Sequence, residues 1–205
     1  MLEKLDSMEQ AIWIAKSLFD RGKTAGSSAN LSFLHQDGIY ITGSGTCFGA
    51  LAADSFALLD RDGIHIAGPA PSKEFPLHMS LYEKRPGTKA VIHTHSFHSV
   101  LWSCLTHGNP EDVIVPYTPY LGMRLGRVAF VPYAFPGSEQ LFALFSAHIS
   151  DTDGYLLANH GPIVGGATLL TAFYALEELE ESARLAWALR HEAQALMIEP
   201  KQEKN

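Results

Sequence analysis

Three histidines and a glutamate stand where metal chemistry would need them. The run Ala90-Val91-Ile92-His93-Thr94-His95-Ser96 leads from apolar residues into two imidazoles one residue apart. Successive side chains of a strand point to opposite faces, so His93 and His95 emerge on the same one. Imidazole and carboxylate are ligand types that zinc accepts, and a catalytic zinc keeps one position open for water or substrate. The best further ligands are His160, in Leu157-Ala158-Asn159-His160-Gly161-Pro162, and Glu74, in Pro71-Ser72-Lys73-Glu74. Taken alone, an H-x-H pair is equally two buried, hydrogen-bonded histidines. His98 lies off the shared face and is assigned to packing or to orienting a ligand.

Anion chemistry has its own candidates. Thr24-Ala25-Gly26-Ser27-Ser28-Ala29-Asn30-Leu31-Ser32 and Thr42-Gly43-Ser44-Gly45-Thr46 are small and hydroxyl-rich. Such loops let backbone N–H groups approach a phosphate, and the same composition also serves ordinary turns. Ser72, as cap of a helix with Glu74 in its first turn, would set a hydroxyl, a carboxylate and free N–H groups together, a combination suited to a metal beside an anion. The plain alternative is a surface glutamate complementing the helix dipole.

The elements that must position these groups follow from periodicity. Ser7 with Gln10 reads as a capping box opening a helix to Arg21-Gly22. Strands are expected over 31–34 and 39–42 around Gln36-Asp37-Gly38, and a hairpin from 55–59 to 64–66 around Asp60-Arg61-Asp62-Gly63. After the histidine strand come a helix over 99–105, a short strand at Val113-Ile114-Val115, an irregular stretch over 117–124 and a strand over 128–133. A helix over 139–149 leads to a buried strand over 155–158, with His160 on a Gly-Pro loop beyond it. Thr168 caps a long last helix whose apolar stripe is Leu169, Ala172, Phe173, Leu176, Leu179, Ala183, Ala186 and Trp187, with Glu177, Glu178, Glu180 and Glu181 on its solvated side. Lys201 to Asn205 reads as a frayed tail. Short strands alternating with helices imply an α/β domain with a mainly antiparallel sheet.

Composition narrows the class. The chain of 205 residues suits one domain, 1–205, with 46% hydrophobic and 18% charged residues. A net charge of −7 offers no footprint for nucleic acid, so an anionic substrate needs local donors. Cys47 and Cys104 form neither a CxxC nor a disulfide framework, the N-terminus has no leader pattern, and no apolar run approaches a membrane span, so a cytoplasmic protein is expected.

The ordered set Ala25-Gly26-Ser27-Ser28-Ala29-Asn30-Leu31-Ser32, Ile41-Thr42-Gly43-Ser44-Gly45, Pro71-Ser72-Lys73-Glu74, His93-Thr94-His95-Ser96 and Asn159-His160-Gly161-Pro162 resembles the class II aldolase/adducin family along nearly the whole chain. The resemblance implies a three-layer α/β/α fold and a catalytic divalent metal, usually Zn2+, with Co2+ or Mn2+ as substitutes, on His93, His95 and His160. It also implies a homotetramer with active sites at subunit interfaces. Glu74 matches the family's acidic residue, which can ligate the metal and act as acid or base. Within the family, Lys73, Leu77-His78, Thr118-Pro119-Tyr120 and Met123-Arg124-Leu125-Gly126-Arg127 are similar to the pattern of 3-oxo-tetronate 4-phosphate decarboxylases, while sugar-phosphate aldolases more often carry serine at the place of Lys73. The expected reaction is loss of carbon dioxide from a small sugar-acid phosphate through an enediolate, with Glu74 or Tyr120 supplying the proton. Ser28, Asn30, Thr42, Gly43, Ser72 and Lys73 would hold the phosphate. A sugar-phosphate aldolase and an adducin-like interaction module are the alternatives.

Overall fold

A computed structural model describes residues 6–198. Its centre is an eight-stranded sheet in the order β4-β3-β2-β1-β5-β8-β7-β6. The strands are β1 Asn30–His35, β2 Gly38–Thr42, β3 Phe56–Leu59, β4 His65–Ala67, β5 Ala90–His93, β6 Val128–Val131, β7 Gly154–Leu157 and β8 Gly161–Gly166. Every neighbouring pair is antiparallel except β6 and β7. The helices are α1 Ser7–Asp20, α2 Phe75–Lys84, α3 Phe97–Ser103, α4 Tyr120–Leu125, α5 Glu139–His148 and α6 Leu169–Leu189.

Alternation along the strands produces the layers. Leu31 and Phe33 of β1, Ala90 and Ile92 of β5, Val128 of β6 and Val164 of β8 face one side, where α1, α3, α4 and α6 bury them. Val91, Val131, Tyr155, Leu157 and Ile163 face the other, under Leu77 and Leu81 of α2 and Leu141 and Phe145 of α5. Phe75, Met79 and Tyr82 of α2 extend that layer over Ile39, Ile41, Ala57 and Leu59. This is the expected α/β/α arrangement around a mainly antiparallel sheet. His93 shares the parity of Val91, so its imidazole enters the layer under α2.

Several expectations need correcting. Asp6, not Ser7, caps α1, its carboxylate accepting from Glu9 N at 2.8 Å. α2 begins at Phe75, so Glu74 occupies its N-cap position rather than its first turn, and Ser72 accepts from Glu74 N at 3.4 Å instead of capping the helix. Val113 and Ile114 are buried but irregular, tied by Val113 N to Val128 O at 2.9 Å. The stretch expected to be irregular contains α4. Gly161-Pro162, read as a loop, opens β8, which runs to Gly166 as a central strand between β5 and β7. Glu180 is buried, not solvated, and accepts from His98 N at 3.1 Å, Ser99 N at 2.9 Å and Ser99 Oγ at 2.7 Å. A carboxylate there complements the free N–H groups opening α3. The tail over 201–205 lies outside the described residues.

Candidate metal centre and anion cleft

Four side chains from separate elements converge at one end of β5. Glu74 arrives from the turn before α2, His93 from the last position of β5, His95 from the segment just beyond it, and His160 from the tight turn between β7 and β8. One ligand atom from each lies within 4.8 Å of every other. β5 ends at His93, so His95 joins through the following extended segment rather than through strand parity.

His160 owes its place to backbone conformations few residues adopt. β7 and β8 pair in register Leu157 with Gly161, leaving a three-residue connection. Asn159 takes φ 53 and Gly161 φ 152, both on the left-handed side. Asparagine and glycine are the residues that enter that side at least cost. A β carbon on Gly161 would lie 2.5 Å from Thr94 O, so glycine is also what lets this turn close onto the His93-Thr94-His95 segment.

The spacing fits a metal ion. His93 Nε2 lies 3.3 Å from Glu74 Oε2, 3.3 Å from His160 Nε2, and His160 Nε2 lies 3.3 Å from Glu74 Oε1. Tetrahedral ligands about 2.0–2.1 Å from zinc stand roughly 3.3–3.4 Å apart. His93 Nδ1 donates to Pro162 O at 2.8 Å, which fixes the tautomer with Nε2 unprotonated and turned into the cluster. His95 Nε2 is buried with no hydrogen-bond partner. Three imidazoles and a carboxylate arranged this way suit zinc, cobalt or manganese.

Electrostatics keep the groups in ligand form. Burial pushes His93 down to about 3, only partly offset by Glu74, and burial together with His160 lowers His95. Burial alone would raise the Glu74 carboxyl; the facing His93, His160 and the Asn30 N–H reverse this and hold it ionised, well below the usual carboxylate range.

A cleft of about 280 Å³ opens beside the cluster, lined by Ser27, Ser28, Gly43, Ser44, Ser72, Lys73, Glu74, His95 and His160 among others. Of the residues expected to hold phosphate, Lys73 and Ser72 are best placed. Lys73 is exposed at the rim and makes no ion pair among the described residues, and the Ser72 hydroxyl keeps its proton for a ligand. Ser28 lines the cleft but donates its hydroxyl to Ala25 O at 2.7 Å. Gly43 also lines it, yet its N–H is committed to Ser55 O at 2.8 Å. Thr42 does not line it: fully buried, it accepts from Leu31 N at 3.2 Å and belongs to the scaffold. Asn30 lines the cleft with its amide engaged, Nδ2 donating to Glu74 Oε2 at 3.2 Å. Ser44, from the second of the small, hydroxyl-rich loops, also lines the cleft.

Tyr120 is 58% exposed on α4, which packs against α6, and does not line the cleft. His98 faces Glu180 rather than the cluster, its Nδ1 3.0 Å from Oε1. A larger groove of about 620 Å³ runs along α1 by Trp13 and Arg21, and no histidine lines it. Among the described residues no helix is long and apolar enough to cross a membrane.

Known proteins match this chain over most of its length. Escherichia coli (strain K12) 3-oxo-tetronate 4-phosphate decarboxylase is 42% identical over 182 residues, 88% of this chain and 86% of the relative. L-fuculose phosphate aldolase of Methanocaldococcus jannaschii is 36% identical over 177 residues, 86% of this chain and 93% of the relative. The crystal structure of Escherichia coli YgbL superposes with a TM-score of 0.89 at 38% identity, covering 94% of this chain and 93% of that one. With residues 9–187 also matching the class II aldolase and adducin N-terminal domain, the chain belongs to the class II aldolase/adducin family.

Proposed function

We propose that this protein is a divalent-metal-dependent carbon–carbon lyase that decarboxylates a 3-oxo-tetronate 4-phosphate to a ketose phosphate. The observation that carries the reading is that one cleft joins the Glu74–His93–His95–His160 cluster to an unpaired lysine and free hydroxyls. That pairing suits a substrate with chelating oxygens at one end and a phosphate at the other. The 42% identity to a named decarboxylase, against 36% to a named aldolase, and the lysine at 73 favour carbon dioxide as the fragment released.

The chain's residues divide the work. His93, His95 and His160 would hold a divalent metal such as zinc, which when bound would supply Lewis-acid polarisation of a substrate oxygen, a contribution of several kcal/mol. Lys73 and the hydroxyls of Ser72 and Ser44 anchor the phosphate, which fixes the reacting carbons against the cluster. The bond to the carboxylate breaks, its electron pair passes to the ketone oxygen as an enediolate, and a proton is then added at carbon. Glu74 is ionised and brings no proton of its own, so it can only relay to that carbon a proton taken from solvent; otherwise a phenol supplies it. Tyr120, outside this chain's own cleft, supplies it across the interface of a homotetramer in a neighbouring subunit's site.

The test is to incubate zinc-loaded protein with 3-oxo-tetronate 4-phosphates and with ketose 1-phosphates while assaying carbon dioxide and aldehyde. Carbon dioxide from the first group is expected. Aldehyde from the second would make the protein an aldolase, which passes through the same kind of enediolate. Cleavage of neither would favour an interaction module on this fold.

A further inference from the structure

Behind Glu74 runs a buried polar chain that the chemistry above does not use. Asn30 pairs with His93 across the β1–β5 ladder, so its side chain enters the layer under α2 beside the cluster. His78, one helical turn beyond Glu74 and fully buried, places Nε2 2.5 Å from Asn30 Oδ1 and Nδ1 2.7 Å from Ser32 Oγ. Ser32 Oγ in turn lies 2.6 Å from the Tyr82 hydroxyl. These are fixed contacts between α2 and β1 in a dry layer, where an unsatisfied polar group costs about 1–3 kcal/mol.

Hydrogen-bond bookkeeping gives the chain one direction. A carboxylate only accepts, so Asn30 must turn its NH2 to Glu74 and its oxygen to His78. His78 must then carry its proton on Nε2 and accept at Nδ1 from the Ser32 hydroxyl, whose own oxygen accepts from Tyr82. Burial pushes His78 down to about 3 and raises the Tyr82 phenol, so both stay neutral and the sequence Tyr82 to Ser32 to His78 to Asn30 to Glu74 has a donor at every step. An Asn30 amide turned the other way would set its oxygen against Glu74 Oε2.

We infer that His78, oriented by Ser32, is a positioning residue that locks the Asn30 amide and thereby aims the Glu74 carboxylate into the metal cluster. This rests on the metal reading of the cluster. It also redefines Asn30, whose second Nδ2 hydrogen remains for a ligand in the cleft, as the joint between carboxylate and anion. Outer partners of metal ligands are worth about 10–100-fold in affinity.

The experiment needs no substrate. Two-bond 1H–15N correlation spectra of the zinc-free protein report the His78 tautomer, and chelator competition reports zinc affinity. The Nε2–H form is expected. His78→Gln, which keeps an N–H near Asn30 Oδ1, should bind zinc within about 3-fold of the parent, while His78→Leu should bind roughly 10-fold or more weakly. An Nδ1–H tautomer, or a folded His78→Leu protein with parental affinity, overturns the inference. So does a His78→Gln protein as weak as His78→Leu when both melt like the parent. If His78→Leu does not fold, Ser32→Ala decides: mixed His78 tautomers with weakened zinc binding support the inference, and parental values for both defeat it. A parent protein with the Nε2–H form that binds no zinc would instead defeat the metal reading and leave the Asn30 orientation standing.

Discussion

Replacing Gly161 by alanine tests whether the β7–β8 turn sets both the fold and the metal centre. The new β carbon would meet Thr94 O at 2.5 Å, His95 Cα at 3.4 Å and His95 Cδ2 at 3.5 Å, in a residue held at φ 152. The obstacle is backbone, so no side-chain rotation relieves it. Holding alanine in a sparsely populated backbone region costs about 1–3 kcal/mol, and overpacking against a rigid neighbour about as much again. Alanine recovers roughly 0.4–1 kcal/mol by restricting the unfolded chain. The expected net is a loss of about 1–5 kcal/mol, which for a chain of this size lowers the melting temperature by roughly 2–20 °C. The least costly relaxation moves His160 away from His93 and His95, so zinc affinity should fall by about 10-fold or more, the equivalent of 1.4 kcal/mol. Thermal melts of metal-free protein and chelator competition measure the two effects. Gly87→Ala, where no atom lies within 4 Å of the added carbon, is the control and should leave zinc affinity unchanged while stabilising by no more than about 1 kcal/mol. A Gly161→Ala protein within about 1 kcal/mol of the parent and with parental zinc affinity would refute the coupling of turn to ligand geometry.

Three further outcomes are expected. Stripping divalent metal should lower the melting temperature by about 8–16 °C, since free ion at 1,000 times its dissociation constant adds about 4 kcal/mol, and His95→Ala should erase the difference; identical melts with and without zinc would remove the metal site. Glu180→Gln should destabilise metal-free protein by about 1.5–3 kcal/mol at neutral pH, as charge-assisted bonds to α3 are lost. Burial would raise that carboxyl, but donors from Ser99 and His98 hold it below its ordinary 4.5, so its stabilisation is complete above the unfolded value and fades as pH falls through the folded one; urea titrations should show parent and variant converging below pH 4.5. Tyr120→Phe and His93→Ala chains, each inactive, should regain part of the activity after dissociation and reassociation together, and mixed oligomers that stay dead while folded would end the shared-site idea.

Much of the fold was legible because local period and tertiary burial agree. Of the residues at helical spacing in α1, Ala11, Ala15 and Leu18 are buried, joined by Ile14, while Met8, Ile12 and Phe19 are only partly so, and the stripe from Leu169 to Ala186 is the buried face of α6. Where the two disagree, sequence reading failed. β8 is Gly-Pro-Ile-Val-Gly-Gly, bounded by residues that mark turns, yet it lies in the sheet centre because small residues admit close neighbours: a β carbon on Gly166 would lie 2.5 Å from Ala172 N of α6. Val113-Ile114 has a strand's composition, but flanking Pro110 and Pro116 keep it from extending a ladder. Glu180 reads as one acid among four, and only the docking of α3 against α6 shows that it alone turns inward.

At the site, legibility followed the kind of information each residue carries. A candidate metal ligand is identified by type, so His93, His95, His160 and Glu74, which the fold brings into one group able to hold an ion, could be named without distances. Phosphate contacts depend on which donors are already spent, and Thr42, Gly43 and Ser28 fall out of first place because Leu31, Ser55 and Ala25 engage them. Asn30 and His78 are subtler. His78 looks like an ordinary apolar-face residue of α2, and Asn30 like a turn residue before β1, until the β1–β5 register places Asn30 opposite His93 and α2 lays His78 over it. Each polar atom of the pair is satisfied only by the other element, so its role is a property of the packed layer. Besides the imidazoles that face the Glu74 carboxylate, the Asn30 N–H engages its Oε2 from the β1 side, and that N–H points at Glu74 only while His78 holds the amide oxygen from behind.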